Sequence, residues 1–393
     1  MADKITPEAF EDDMLSRKNI AEHFKQILLN TDVNVFSVVA PWGEGKSYFI
    51  NNLVKLIEKD TISILYNAWE SDFYHSPLIP LLVELLNKLE NCAQTKELEK
   101  DIEWSKNFAQ KICSSTTFQV GIDMGIVNCS ANFDPAKKLN ESEYLELKSK
   151  IQEFKLKLQS IQKKLDKKII IFIDELDRCH PMYTIKTLEV IKHFFGIPNI
   201  IFVLAVDKIQ IENSVRTIYG INKGEENGYL RKFIDVEFQL PEYNSKEFIA
   251  VHLMKIWNKI EKFIQHGKYY NYKQKNNSPD EAIKLCDFIF ILTNLFKLSL
   301  RDIEKLFMRI ELTLDALSKK DVLLIEPCII FNLLSIYKAE ATNNYIELTG
   351  SEKIQDINNA ILPYWKGLFL NSYKKTIDNS FALDEIKENT VTD

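Results

Sequence analysis

Two stretches of the chain are apolar almost without interruption and both stop at acids: IIIFIDE at residues 169 to 175, and Ile200 to Val206 followed by Asp207. Runs this short and this continuous predict strands buried on both faces, as in a parallel sheet. Val35, Phe36, Val38 and Val39 form a similar run that ends at Ala40, and Ile62 to Tyr66 another. Between them the period changes to that of a helix. Leu15, Ile20, Phe24, Ile27 and Leu28 predict an amphipathic helix over residues 11 to 29, and Ile50, Leu53, Val54 and Ile57 predict one after the loop at 40 to 47. Pro77 and Pro80 open a leucine-rich helix, Leu81 to Leu89.

Tyr144, Leu147, Ile151, Phe154, Leu158, Ile161 and Leu165 keep a 3,4 spacing over three heptads. That stripe suits either a dimeric coiled coil or a long helix docked on the chain's own sheet. Phe118, Val120 and Ile122 alternate instead, with Gly121 and Gly125 as breakers, which predicts a β-hairpin. From Ser245 onward the pattern is helical, interrupted by a polar loop at 265 to 280, with further helices expected at 281 to 300, 301 to 317, 326 to 343 and 352 to 374. The expected organisation is an α/β core in two parts, 1 to 112 and 136 to 244. A hairpin insertion at 113 to 135 separates them, and a helical domain at 245 to 380 and a disordered tail at 381 to 393 follow.

Composition narrows the functional classes. The 393 residues are 46% hydrophobic and 27% charged, which is ordinary for a globular protein. The net charge of −6 argues against nucleic acid held by bulk electrostatics, and the Lys- and Tyr-bearing loop at 265 to 280 reads as a solvated loop before it reads as a nucleic-acid site. Six cysteines stand singly, with no metal-ligand spacing. The acidic N-terminus is not a secretory signal, and the apolar segments near 288 to 300 and 322 to 334 are interrupted short of a membrane span. A cytoplasmic protein follows, with attachment at the inner membrane face left open.

The chemistry sits at the strand ends. In PWGEGKSY, residues 41 to 48, Gly43 and Gly45 let backbone N–H groups approach phosphate oxygens, and the helix starting near Lys46 turns its positive end to the same anion. Lys46 is the candidate for the β- and γ-phosphates and Ser47 for Mg²⁺. Trp42, Gly43, Glu44, Gly45, Lys46, Ser47 and Tyr48 together form the candidate nucleotide-binding segment. The pattern G-x-x-x-x-G-K-[ST] has glycine where this chain has Ala40. Asp174 is the candidate Mg²⁺-orienting acid and Glu175 the candidate base for an attacking water. Asp207 either senses the γ-phosphate or caps the helix that follows. Trp69, in NAWESD, sits where a strand runs out, and core packing is the favoured reading.

Taken together, PWGEGKS (41 to 47), NAW (67 to 69), IDELDRCHP (173 to 181) and YLRKFID (229 to 235) resemble the KAP family of P-loop NTPases over roughly residues 12 to 310. The resemblance implies a mostly parallel sheet, ATP with Mg²⁺, and nucleotide hydrolysis. It places Asp177 and Arg178 near the nucleotide, where an ordinary salt bridge is the competing reading for them. It makes Arg231, with Lys232 beside it, a candidate γ-phosphate contact, in the same chain or from a neighbouring subunit. In KLSLRDIEKLF it makes Arg301 a candidate sensor of nucleotide state, with a solvated helix face as the alternative. Many relatives carry membrane helices where this chain has the 118 to 134 segment, so membrane embedding is not carried over.

These features imply an ATPase acting as a conformational or assembly switch, with a homo-oligomer and a partner encoded nearby left open, and a phage-defence role suggested by the family. A P-loop small-molecule kinase and an ATP-binding interaction module with little turnover are the rival classes.

Overall fold

The computed structural model describes residues 8–11, 13–74, 76–114, 141–194, 196–265 and 279–316, together with Ile329 and Asn332. Five strands, β1 (Val35–Val39), β2 (Ile62–Asn67), β3 (Ile169–Asp174), β4 (Ile200–Val206) and β5 (Val236–Gln239), form one sheet in the order β2-β3-β4-β1-β5. Every pairing is parallel. All strands therefore point their C-terminal ends, and the acids and loop found there, at one edge.

Alternation is hidden in the sequence because both faces of the sheet are covered. Ile169, Ile171 and Ile173 face one core with Ile200, Phe202 and Leu204, while Ile170 and Phe172 face a second core with Ile201, Val203 and Ala205. The second core is closed by α1 (Arg17–Asn30) and α2 (Lys46–Ile57), through Ala21, Phe24 and Leu28 and through Phe49, Ile50, Leu53 and Ile57. The first is closed by α3 (Leu78–Asn91), α4 (Lys96–Ser114), α5 (Glu141–Leu165) and α6 (Pro181–Phe194), with α7 (Lys208–Tyr219) and α8 (Glu226–Leu230) beyond them. The result is a three-layer α/β/α fold.

Two details of α1 and α5 differ from or sharpen the sequence reading. Helix α1 buries Arg17, Ala21, Phe24 and Leu28, a 4,3,4 spacing, and leaves Ile27 on the exposed side. The stripe of α5 docks on the chain's own core: Phe154, Leu158 and Ile161 are buried, and Ile151 and Leu165 pack at its margin. Helix α4 continues through Cys113 and Ser114, so the first two residues of the expected hairpin segment are helical. The remainder of that segment, most of the 265 to 280 loop, the helix expected at 326 to 343 apart from Ile329 and Asn332, the one expected at 352 to 374, and the tail lie outside the described residues.

The chain divides into compact units between Tyr243 and Asn244. In the second, α9 (Ser245–Gln265), α10 (Pro279–Phe296) and α11 (Leu300–Ala316) pack together. Lys259 on α9 ties α11 down through Glu311 at 2.7 Å and Asp315 at 2.8 Å. Among the described residues, no helix is long and apolar enough to cross a membrane.

Candidate nucleotide site

Strand β1 delivers the chain to the loop at the sheet edge. Ala40 still belongs to the ladder: its N–H donates to the Val206 carbonyl at 3.3 Å, and its methyl is buried in the second core. An extended, core-facing position accepts a Cβ, which explains why alanine stands there. Gly43 and Gly45 have φ of 82° and 80°, the left-handed region that L-residues enter only at a cost. Gly45 is the N-cap of α2, and its carbonyl accepts from the Phe49 N–H at 2.9 Å.

Lys46 opens α2 and is 8% exposed. Its amine donates to the carbonyls of Ala40 at 2.8 Å and Pro41 at 3.0 Å, and lies 3.6 Å from Asp177 Oδ2. Burial pulls its pKa down, and the charges of Asp177, Asp207 and Asp174 oppose that shift. Acids from two strand ends therefore contribute to the field around one ammonium group.

Asp177 is the centre of this arrangement. It lies in the 3-10 turn Leu176–Arg178 after β3, and its Oδ2 accepts from the Trp42 indole N–H at 2.8 Å and from the Asp207 N–H at 2.7 Å. Asp207 returns the contact, because its Oδ2 accepts from the Trp42 backbone N–H at 3.2 Å. Its Oδ1 accepts from the Ile209 N–H at 3.0 Å, so Asp207 also caps α7. The cap reading of Asp207 is thus seen directly, and its second oxygen holds the loop backbone at Trp42.

Asp174 ends β3, buried, with its Oδ1 held by the Glu175 N–H at 2.8 Å. Glu175 follows with φ of 60° and pairs with Arg178 at 2.9 Å. Ser47 is half-buried in the first turn of α2. Tyr48 turns its ring edge-on to Phe10, with centroids 5.9 Å apart. Glu44 lies close to two groups that local patterning did not single out, Arg17 and Tyr243. Burial pulls the Arg17 guanidinium down against the charges of Glu44, Asp13 and Tyr243, and burial together with Glu44 pushes the Tyr243 hydroxyl up. Arg17 also donates to the Pro241 carbonyl, a contact 224 residues away in sequence.

Arg231 is exposed in the turn after α8, Lys232 lies over the Tyr229 ring at 5.2 Å, and Arg301 is exposed at the start of α11 in the second unit. Trp69 is not core. It is 51% exposed, with the Arg178 guanidinium 5.6 Å from its ring centroid.

The model of the KAP family P-loop domain matches residues 17–317, which spans every element of this site. The chain belongs to the KAP family of P-loop NTPases. It is 21% identical over 297 residues to the phage T7 exclusion protein of Escherichia coli (strain K12), covering 70% of this chain and 38% of that protein. The chain thus spans about four tenths of the length of this curated relative. Among solved structures, the Aeropyrum pernix ORC2 protein in its ADPNP–ADP complexes is 13% identical, with a TM-score of 0.37 over 99% of this chain and 95% of that one. C. elegans PCH-2 is 11% identical, with a TM-score of 0.33 over 81% and 68% of the two chains. As a KAP P-loop domain, the chain has the fold of a nucleoside-triphosphate-binding protein.

Proposed function

We propose that the chain binds ATP with Mg²⁺ at the C-terminal edge of its sheet and hydrolyses the β–γ phosphoanhydride, using the cycle as a conformational or assembly switch. The observation that carries this reading is the gathering of Asp174, Asp177 and Asp207, from two strand ends, around Lys46 at the start of α2. Gly43 and Gly45 open the loop backbone to phosphate oxygens. Lys46 neutralises the β- and γ-phosphates on release from the Ala40 and Pro41 carbonyls. Glu175 holds the attacking water and takes its proton, and Asp177 and Asp207 keep the loop in register.

Ser47 and Asp174 are the residues that would hold Mg²⁺. Their oxygens suit a hard cation that keeps waters and phosphate oxygens in its remaining positions, and Asp174 is already fixed by the Glu175 N–H. The ion, when bound, neutralises charge on the terminal phosphates. A role in excluding phage is supported by the name of the Escherichia coli relative, and belongs to this proposal.

Side-by-side measurement of ATP binding and phosphate release tests the reading. The wild type is expected to bind ATP and release phosphate only with Mg²⁺, and Lys46→Ala to lose both. ATP binding undiminished in Lys46→Ala would overturn it. Phosphate appearing on an added small molecule but never on water would favour a kinase instead.

A further inference from the structure

The NAW segment is the motif that the phosphate chemistry leaves unused, and its surroundings give it a task. Asn67 ends β2 opposite Asp174, and the Ala68 N–H donates to the Asp174 carbonyl at 3.0 Å. The Asn67 side chain then starts a new turn: its Oδ1 accepts from the Trp69 N–H at 3.1 Å, and its Nδ2 donates to Glu70 at 3.0 Å. The 3-10 turn Trp69–Ser71 that results lifts the Trp69 ring into solvent. A tryptophan half in water, one turn from a strand end, is not packing the core.

What covers the ring is Arg178. The same guanidinium reaches Glu175 Oε1 through Nη1 at 2.9 Å, so it lies between an aromatic face and the candidate base. A second bond joins the two turns, because Asp72 Oδ2 accepts from the His180 N–H at 3.3 Å. Glu175 itself has φ of 60° and ψ of 20°, a left-handed backbone that a non-glycine residue adopts at a cost and that tends to persist at functional sites. The i,i+3 ion pair alone, between two partly buried side chains, would still leave the long glutamate side chain several rotamers. Seating the guanidinium on an aromatic face restricts it further, and its planar fork suits this better than a lysine ammonium does.

We propose that Arg178, carried on the Trp69 ring, is the positioning residue of Glu175: it fixes the direction in which the carboxylate meets the attacking water. This rests on the ATPase reading above. It gives the NAW segment a part in hydrolysis although it touches no phosphate.

The test is kcat and KM for MgATP in the full chain carrying Arg178→Ala, Arg178→Lys, Trp69→Ala and Trp69→Phe, and in Glu175→Gln with and without Arg178→Ala. Arg178→Ala is expected to lower kcat by roughly 10- to 100-fold, as misplacement of a reacting group does, with KM changed less than about twofold. Arg178→Lys should recover only a small part of the loss, and Trp69→Phe most of what Trp69→Ala loses. In Glu175→Gln, Arg178→Ala should add nothing, since no base remains to be positioned. A raised KM with kcat retained would make Arg178 a direct phosphate contact and overturn the proposal, as would losses that multiply in the double variant. The exposed Trp69 variants keep the test open if Arg178→Ala fails to fold. A wild type without hydrolysis overturns the ATPase reading and this one together, whereas a hydrolysing wild type with multiplying losses overturns this one alone.

Discussion

The indole N–H of Trp42 donates to Asp177 Oδ2 at 2.8 Å, joining the phosphate loop to the turn after β3 across 135 residues of sequence. The same oxygen accepts from the Asp207 N–H and faces the Lys46 amine. The loop is therefore held by one buried carboxylate as well as by its own glycines.

Removing that carboxylate should be far more damaging than removing its exposed donor. Asp177→Ala strips Lys46 of its nearest counter-charge and leaves two N–H groups without their acceptor, a loss of about 3–5 kcal/mol for a broken buried pair. Trp42 is 46% exposed, so water can replace its indole in Trp42→Phe, and the expected loss is about 1 kcal/mol. Denaturant unfolding of both single variants and the double variant checks this. The double should lose less than the sum of the singles, because the residues share a bond.

Gly45→Ala should fail at the backbone. With φ at 80°, a Cβ there costs about 1–2 kcal/mol in stability and stands beside the phosphate cradle. Thermal unfolding is expected to show the modest loss, and ATP titration a much larger one in affinity.

Alkaline pH should weaken nucleotide binding through Lys46. Its folded pKa is lowered from 10.5, chiefly by burial, so the free protein gives up this proton at a lower pH than an exposed lysine would. Phosphate binds the ammonium form. Affinity should thus be full below the lowered pKa and fall by up to about tenfold per pH unit above it. Calorimetric titration in buffers of different ionisation enthalpy should reveal proton uptake in that window.

Phe172 sits on β3, an interior strand of the sheet, fully buried in the second core. Phe172→Ala is expected to cost about 3–5 kcal/mol, read from the denaturation midpoint at unchanged slope.

Much of this was legible in the sequence because parallel strands covered on both sides leave continuous apolar runs. Residues 169 to 174 and 200 to 206 are buried at every position, and the sequence placed the second strand to the residue and the first to within one. The candidate site was legible for a related reason: a parallel sheet puts all its strand ends on one edge, so Lys46, Asp174 and Asp207 had to meet. What local patterning could not supply depends on contacts distant in sequence. The burial of Arg17 is set by the Pro241 carbonyl and by Glu44, and nothing within one turn of α1 announces it. Trp69 read as core because tryptophan usually is, yet the Asn67 turn holds it outward under Arg178. The indole bond of Trp42 had one faint signal, a polar-tipped aromatic beside a loop glycine with buried acids expected nearby.

Under the proposed function this sheet edge is an Mg²⁺-dependent ATP-hydrolysing site with Glu175 as its base. Single-turnover phosphate release from a preformed complex with ATP, compared between the wild type and Glu175→Gln, tests it most directly. The variant is expected to hold ATP as tightly as the wild type and to release phosphate at least about 100-fold more slowly. Release at the wild-type rate from Glu175→Gln would mean that Glu175 is not the base.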